Sequence, residues 1–181
     1  MAELFIELLS EEIPANLQID IRQKIKQMLE EKLKKKEIGF NLSQSFSTPQ
    51  RLVFFINGIP EKVEKKGKII KGPKIEAPEQ ALEGFIKSNK LNKNDIYKEK
   101  IEKGEFYFAK IKPKTINVLE ELKLIIPDIL KSHSWKKSMK WSVYELNWGR
   151  PLKSIVALFN HKIINFDFFH LKSSDLISVD E

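Results

Sequence analysis

The sequence predicts an α+β fold built on a mixed, mainly antiparallel sheet with about three to four helices. Three observations point there. Strand-length apolar stretches and stripes at helical spacing are interleaved along the chain, without the regular strand–helix–strand alternation of a doubly wound parallel sheet. Two pairs of extended stretches are separated by short polar turns, as hairpins require. Finally, 41% hydrophobic and 31% charged residues in 181 positions can furnish one medium core or two small ones, which excludes disorder and collagen.

Leu4-Phe5-Ile6-Glu7-Leu8-Leu9 reads as a largely buried strand. Ser10-Glu11-Glu12 follows, then Pro14, whose fixed φ suits the first turn of a helix. That helix carries Leu17, Ile21, Ile25, Met28, Leu29 and Leu33 at three-to-four spacing, with Lys24, Lys26, Glu30 and Glu31 on the other face, until Gly39 stops it. Phe46 and then Arg51-Leu52-Val53-Phe54-Phe55-Ile56 are extended segments broken at Thr48-Pro49, because proline cannot donate to a sheet ladder. Asn57-Gly58 predicts a turn. Residues 61–74 hold six lysines, two glutamates, Gly67, Gly72 and Pro73, and read as an exposed loop or irregular edge strand that marks a candidate boundary.

Ala77-Pro78-Glu79 opens a short helix with Ala81, Leu82, Phe85 and Ile86 on one face. Residues 96–101 pair with 106–111 around Lys103-Gly104. Thr115 caps a helix carrying Val118, Leu122, Ile125, Ile126, Ile129 and Leu130, which Pro127 must kink or restart. Residues 154–159 and 163–169 form the last hairpin, joined at Asn160-His161-Lys162. The expected organisation is an N-terminal strand–helix–strand region over 1–75, followed by helix, hairpin, helix and C-terminal strands over 76–181, incomplete at the C-terminus; alternatively both form one compact unit.

Several function classes fall away at once. The longest apolar runs, such as 155–159, are far below the roughly 20 residues of a bilayer span, and the first nine residues carry two glutamates and no lysine, unlike a signal peptide. A soluble, cytoplasmic protein is expected. With no cysteine, and with His133, His161 and His170 lying 28 and 9 residues apart, there is no metal-ligand spacing and no metal is expected. GxGxxG, GxxxxGK[ST], GxSxG and HExxH motifs are absent, so no self-contained active site and no catalytic residue is expected. A net charge of +7 and a pI near 9.4 suit an anionic partner, nucleic acid ahead of membrane. Lysine outnumbers arginine almost ten to one, however, and a compositional bias would give the same charge.

Three constellations could carry chemistry. Glu7 with Glu11-Glu12-Ile13-Pro14 is a carboxylate cluster at a strand-to-helix junction, able in principle to act as an acid and base pair or to hold Mg²⁺. The bland alternative, carboxylates favoured by a helix N-terminus or solvated in a turn, is preferred. Arg51 in Thr48-Pro49-Gln50-Arg51-Leu52 and Arg150 in Trp148-Gly149-Arg150-Pro151 are two of only three arginines, each near a proline beside an apolar strand. A guanidinium there clamps a phosphate or a buried carboxylate such as Glu7 or Glu11, and the flanking core strands favour the carboxylate. The third is Lys131-Ser132-His133-Ser134-Trp135-Lys136-Lys137-Ser138-Met139-Lys140-Trp141, where aromatic faces between cations suit base stacking with phosphate neutralisation. Trp141, Val143 and Trp148 read equally well as core.

These stretches resemble the β subunit of the bacterial two-subunit glycyl-tRNA synthetase. The opening strand with Glu11-Glu12-Ile13-Pro14 is similar to the family's strand and Glu-Glu-Leu-Pro, and Thr48-Pro49-Gln50-Arg51-Leu52 to its Thr/Ala-Pro-Arg-Arg-Leu. Lys71-Gly72-Pro73 stands for Arg-Gly-Pro, Lys137-Ser138-Met139-Lys140-Trp141 for Lys-x-Met-Arg-Trp, and Trp148-Gly149-Arg150-Pro151 for Phe-x-Arg-Pro. Gln50, Lys71 and Lys140 each replace a family arginine. The match runs from residue 3 to about residue 178 and covers roughly the first quarter of such a subunit, whose longer body ends in an anticodon-binding domain. After Ser173-Ser174-Asp175 the family continues into Gly-His-Arg-Phe where this chain reads Ile177-Ser178-Val179-Asp180-Glu181, so an excised piece or a broken reading frame is expected.

The resemblance implies an α2β2 ligase in which the α subunit activates glycine with ATP in a class II manner. The β subunit supplies tRNA binding and is needed for aminoacyl transfer. The expected partners are that α subunit and tRNA(Gly), with neither membrane nor DNA. No cofactor is expected in this chain, ATP and magnesium being used by the complete enzyme. The RNA-binding candidates are Arg51, Lys71, Lys136, Lys137, Lys140, Trp141 and Arg150, with Glu7, Glu11, Glu12 and Pro14 as structural motif. A general RNA-binding module and a non-catalytic structural interaction domain remain as alternatives.

Overall fold

The structure is a computed structural model that describes residues 1–89, 91–101, 104–132, 139–141 and 144–177. In chain order the elements are β1 (Ala2–Ser10), α1 (Ala15–Lys35), β2 (Leu42–Ser47), β3 (Arg51–Ile59), β4 (Lys62–Lys65) and β5 (Lys68–Lys74). Then come α2 (Glu79–Asn89), β6 (Ile96–Ile101), β7 (Gly104–Ile111), β8 (Lys114–Asn117), α3 (Val118–Ser132), β9 (Met139–Trp141) and β10 (Tyr144–Trp148). β11 (Leu152–Phe159), β12 (Lys162–Ile163), β13 (Asp167–Phe168) and β14 (Leu171–Lys172) complete the chain. The paired strands whose register is resolved run antiparallel, as an α+β fold requires.

The chain folds into two compact units. Residues 1–63 and 117–181 form the first, and residues 64–116 form the second. The expected division between residues 75 and 76 falls inside the second unit, because β5 on one side of it pairs with β7 on the other.

The first unit is a five-stranded sheet in the order β12-β11-β1-β3-β2. β1 is central and pairs with β3 and β11, so its side chains are buried on both faces; this is why Leu4-Phe5-Ile6-Glu7-Leu8-Leu9 is nearly continuous in apolar residues. On one face Leu4, Ile6 and Leu8 align with Leu52, Phe54 and Ile56 of β3 and with Ile155, Ala157 and Phe159 of β11. The apolar stripe of α1 (Ile21, Ile25, Leu29, Leu33) and that of α3 (Leu122, Ile125, Ile126, Ile129) close the same core. Lys32 to Asp128 and Lys36 to Glu121 join the two helices at the surface, where such pairs contribute little, of order 0–1 kcal/mol.

Tertiary context changes several local expectations. α1 ends before Gly39: Glu37 takes the left-handed conformation (φ 62°), the Ile38 N–H donates to the Leu33 carbonyl and the Glu37 N–H to the Lys34 carbonyl. Burial of both Ile38 and Leu33 holds this closure with a glutamate in the glycine position. Asn57-Gly58 is a bulge rather than a turn. Ala2 faces Ile59 and Glu3 faces Asn57, which leaves Gly58 (φ 79°) as the extra residue, and a Cβ there would lie 2.5 Å from the Asn41 side chain. Asn117, not Thr115, caps α3, its Oδ1 accepting from the Leu119 N–H. α3 runs through Pro127 without a restart, since Ile125, Ile126, Ile129 and Leu130 are buried on either side of the lost hydrogen bond. The last hairpin closes on a two-residue turn, Asn160 (φ 48°) and His161 (φ 62°), but its second strand stops at Ile163; residues 167–168 pair instead with 171–172.

In the second unit β5, β7 and β6 form a three-stranded sheet with β7 central. The 96–101 and 106–111 hairpin is present as expected, and the lysine-rich 61–74 stretch supplies an irregular edge strand, with a register shift between Lys71 and Lys74. α2 packs against β5.

Candidate functional site

The strand-to-helix junction at 10–14 gathers three stretches far apart in sequence. The Ser10 N–H donates to the Gln50 carbonyl (2.8 Å), the Glu11 N–H to the Pro151 carbonyl (2.9 Å) and the Ile13 N–H to the Pro49 carbonyl (2.6 Å). Prolines suit these positions because they offer a carbonyl without an N–H that would demand its own partner. The Ser10 hydroxyl donates to the Glu11 carbonyl and the Gln18 amide to that of Ile13, so the turn's backbone is held from inside and outside. Ile13 is fully buried beneath it. Pro14 has an extended ψ of 135° and stands just before the helix, and the first turn of α1 contains no acid. Glu11 and Glu12 therefore owe their place to the turn itself, not to the helix dipole.

Glu7 points away from the helices, on the second face of the sheet, and Arg51 is its diagonal neighbour across β1 and β3: Glu7 faces Val53, and Leu9 faces Arg51. The Arg51 Nη1 donates to Glu7 Oε1. Glu7 is only 7% exposed, so this carboxylate is a structural partner of the guanidinium rather than a solvated group. Thr48 fixes the approach of β3, its hydroxyl accepting from the Arg51 N–H (3.1 Å) while its own N–H donates to the Arg51 carbonyl (2.9 Å).

Arg150 stands elsewhere. With Pro151, Glu11, Glu12 and Pro14 it lines an open cleft of about 540 Å³. Glu11 meets Lys153 at 3.0 Å on its exposed rim. Just before this segment Trp148 is fully buried, edge-on to Phe168 at 6.2 Å between ring centroids, so it belongs to the core. Among the described residues no three His, Asp or Glu side chains are grouped to hold a metal ion, and no helix is long and apolar enough to cross a membrane.

A family model described as glycyl-tRNA synthetase beta subunit matches residues 4–180. The chain belongs to this family. The glycine–tRNA ligase beta subunit of Rickettsia typhi is 37% identical over 176 residues, which cover 97% of this chain and 26% of the relative. That of Rickettsia bellii is 35% identical over the same share of the chain and 27% of its own length. That of Rhodospirillum centenum is 33% identical over 91% of the chain and 23% of its own. The chain thus spans about a quarter of the length of the curated relatives it matches.

Three of the five family-like motifs, Glu11-Glu12-Ile13-Pro14, Thr48-Pro49-Gln50-Arg51-Leu52 and Trp148-Gly149-Arg150-Pro151, converge through the three backbone hydrogen bonds above. A fourth, Lys71-Gly72-Pro73, lies in the second unit. There a Cβ on Gly72 would sit 2.9 to 3.1 Å from the Phe85 ring of α2, and Lys71 Nζ stands 3.6 Å over the Phe106 ring. In the fifth, Lys137 falls outside the described residues, as does its neighbour Lys136. Lys140 and Trp141 stand on β9, paired with β10, while their side chains fall outside the described set. The motif residues were legible in the family's sequence pattern; their meeting at one turn was not, because strand neighbours distant in sequence decide it.

Proposed function

We propose that the chain is the N-terminal region of a glycyl-tRNA synthetase β subunit, supporting ATP-dependent attachment of glycine to tRNA(Gly) through tRNA binding and subunit assembly. The active site, with ATP and magnesium, lies on the α subunit of a cytoplasmic α2β2 enzyme. One observation carries the reading: two carboxylates that could do acid–base chemistry are engaged by cations, Glu7 by Arg51 and Glu11 by Lys153, at a junction tied by backbone hydrogen bonds. Such an arrangement builds a scaffold rather than a reaction centre.

A glycine-dependent ATP–pyrophosphate exchange assay on the purified, α-free chain tests it and should give no exchange. Exchange by that preparation overturns the reading. In parallel, tRNA binding should weaken steeply with salt and favour tRNA(Gly) over bulk tRNA. A second reading, a general RNA-binding module, is favoured by the distribution of charge. Residues 64–116 hold 14 lysines against eight carboxylates, a net +6 of the chain's +7. Equal affinity for all tRNAs would select it.

A further inference from the structure

The three-stranded sheet of the second unit has two unlike faces. On one, Leu82 and Ile86 of α2 line a groove of about 260 Å³ together with Ile96, Tyr97, Lys98 and Tyr107 of the hairpin. Residues of the opposite parity, Phe106, Phe108 and Lys110 on β7, share the other face with Tyr97 and Glu99 on β6 and with Ile69, Lys71 and Lys74 on β5. Tyr97 and Phe108 lie directly across from each other with ring centroids 6.0 Å apart and planes within 24°, a stacked pair. Tyr97 is 37% exposed and Ile69 60% exposed. Lys71 covers the Phe106 ring at 3.6 Å and Lys74 approaches it at 5.9 Å, and the register sets Lys71 directly across from Phe108. Glu99 is the one carboxylate those registers place on this face.

We propose that this face binds a single-stranded segment of RNA, its bases stacking on Tyr97 and Phe108 and its phosphates meeting Lys71, Lys74 and Lys110. Two independent features favour that occupant. Tyr97, exposed on an edge strand beside the half-buried Phe108, offers flat surface that every base can use. The charge is complementary: nearly all of the chain's net +7 sits in the 53 residues that carry the face. Lys71, which covers Phe106 in the free protein, is placed to turn its ammonium from the ring to a phosphate as a base arrives. The proposal rests on the tRNA-binding reading above and adds where on the chain an unpaired strand is held.

The test uses the whole chain and a fluorescein-labelled, eight-nucleotide oligouridylate, with a tRNA(Gly) transcript titrated separately. Tyr97→Ala should weaken oligonucleotide binding by about 5- to 150-fold, the factor corresponding to one lost stacking contact. Tyr97→Phe should bind like the parent, and an unchanged melting temperature for Tyr97→Ala separates stacking from damage to the fold. Lys110→Gln should lower the slope of log K against log salt by about 0.7. An oligonucleotide that binds with unchanged affinity to Tyr97→Ala, or is displaced equally well by a blunt duplex, overturns the proposal. Binding of tRNA(Gly) without binding of the oligonucleotide also overturns it and leaves the tRNA-binding reading intact. Stacking that depends on Tyr97 without any preference for tRNA(Gly) supports it and discards the glycine-specific reading instead.

Discussion

Arg51 and Glu7 stand on adjacent strands, one diagonal step apart on the sheet face away from the helices, with the guanidinium donating to a carboxylate that is almost wholly buried. The pair ties the motif carried by β3 to the strand that leads into the Glu11-Glu12-Ile13-Pro14 turn. An ammonium at position 51 would reach the same oxygen only as a point charge and would leave the buried acceptors partly unpaired.

Arg51→Lys should therefore destabilise the fold by about 1–3 kcal/mol. Arg150→Lys, in an open cleft, should change it by less than about 0.5 kcal/mol. Denaturant midpoints at constant slope measure both. An unchanged midpoint for Arg51→Lys with weakened tRNA binding would assign Arg51 to phosphate contact.

Gly72→Ala should loosen the second unit by about 1–2 kcal/mol, because the new methyl group meets the Phe85 ring at 2.9 Å. Combining it with Phe85→Leu should recover part of the loss. Amide exchange across β5 and β7 reads the effect locally; additive losses in the double variant would show that the ring is not what the methyl group strikes.

Glu37→Gly should raise stability by about 1 kcal/mol, since the left-handed φ of 62° at the end of α1 strains a residue with a Cβ and suits glycine. A higher melting temperature is the expected result. A fall would mean that the Glu37 side chain contributes more than its backbone strain costs.

Replacing Lys136, Lys137 and Lys140 together by Gln should flatten the salt dependence of tRNA binding by up to about 2 in log–log slope, with little change in melting temperature. The converse result, a lower melting temperature with an unchanged slope, would make this stretch a connector whose lysine stems pack on apolar surface.

Periodicity and residue rarity in the sequence suffice to place β1, the buried stripe of α1, the apolar positions of α3, the 96–111 hairpin and the use of Arg51 against a carboxylate, because each depends on side chains within a few residues or on a chemistry that only arginine supplies. Tertiary structure alone decided the rest. Glu37 ends a helix where glycine is usual because Ile38 is buried against Leu33, and Gly58 forms a bulge because β1 lies beside it. Pro127 stays within α3 because the core holds both of its sides. The convergence of Pro49, Pro151 and the 10–14 turn arises from contacts between segments many residues apart. Local rules do not encode which distant strands become neighbours, since that choice minimises the free energy of the whole core rather than of any one element.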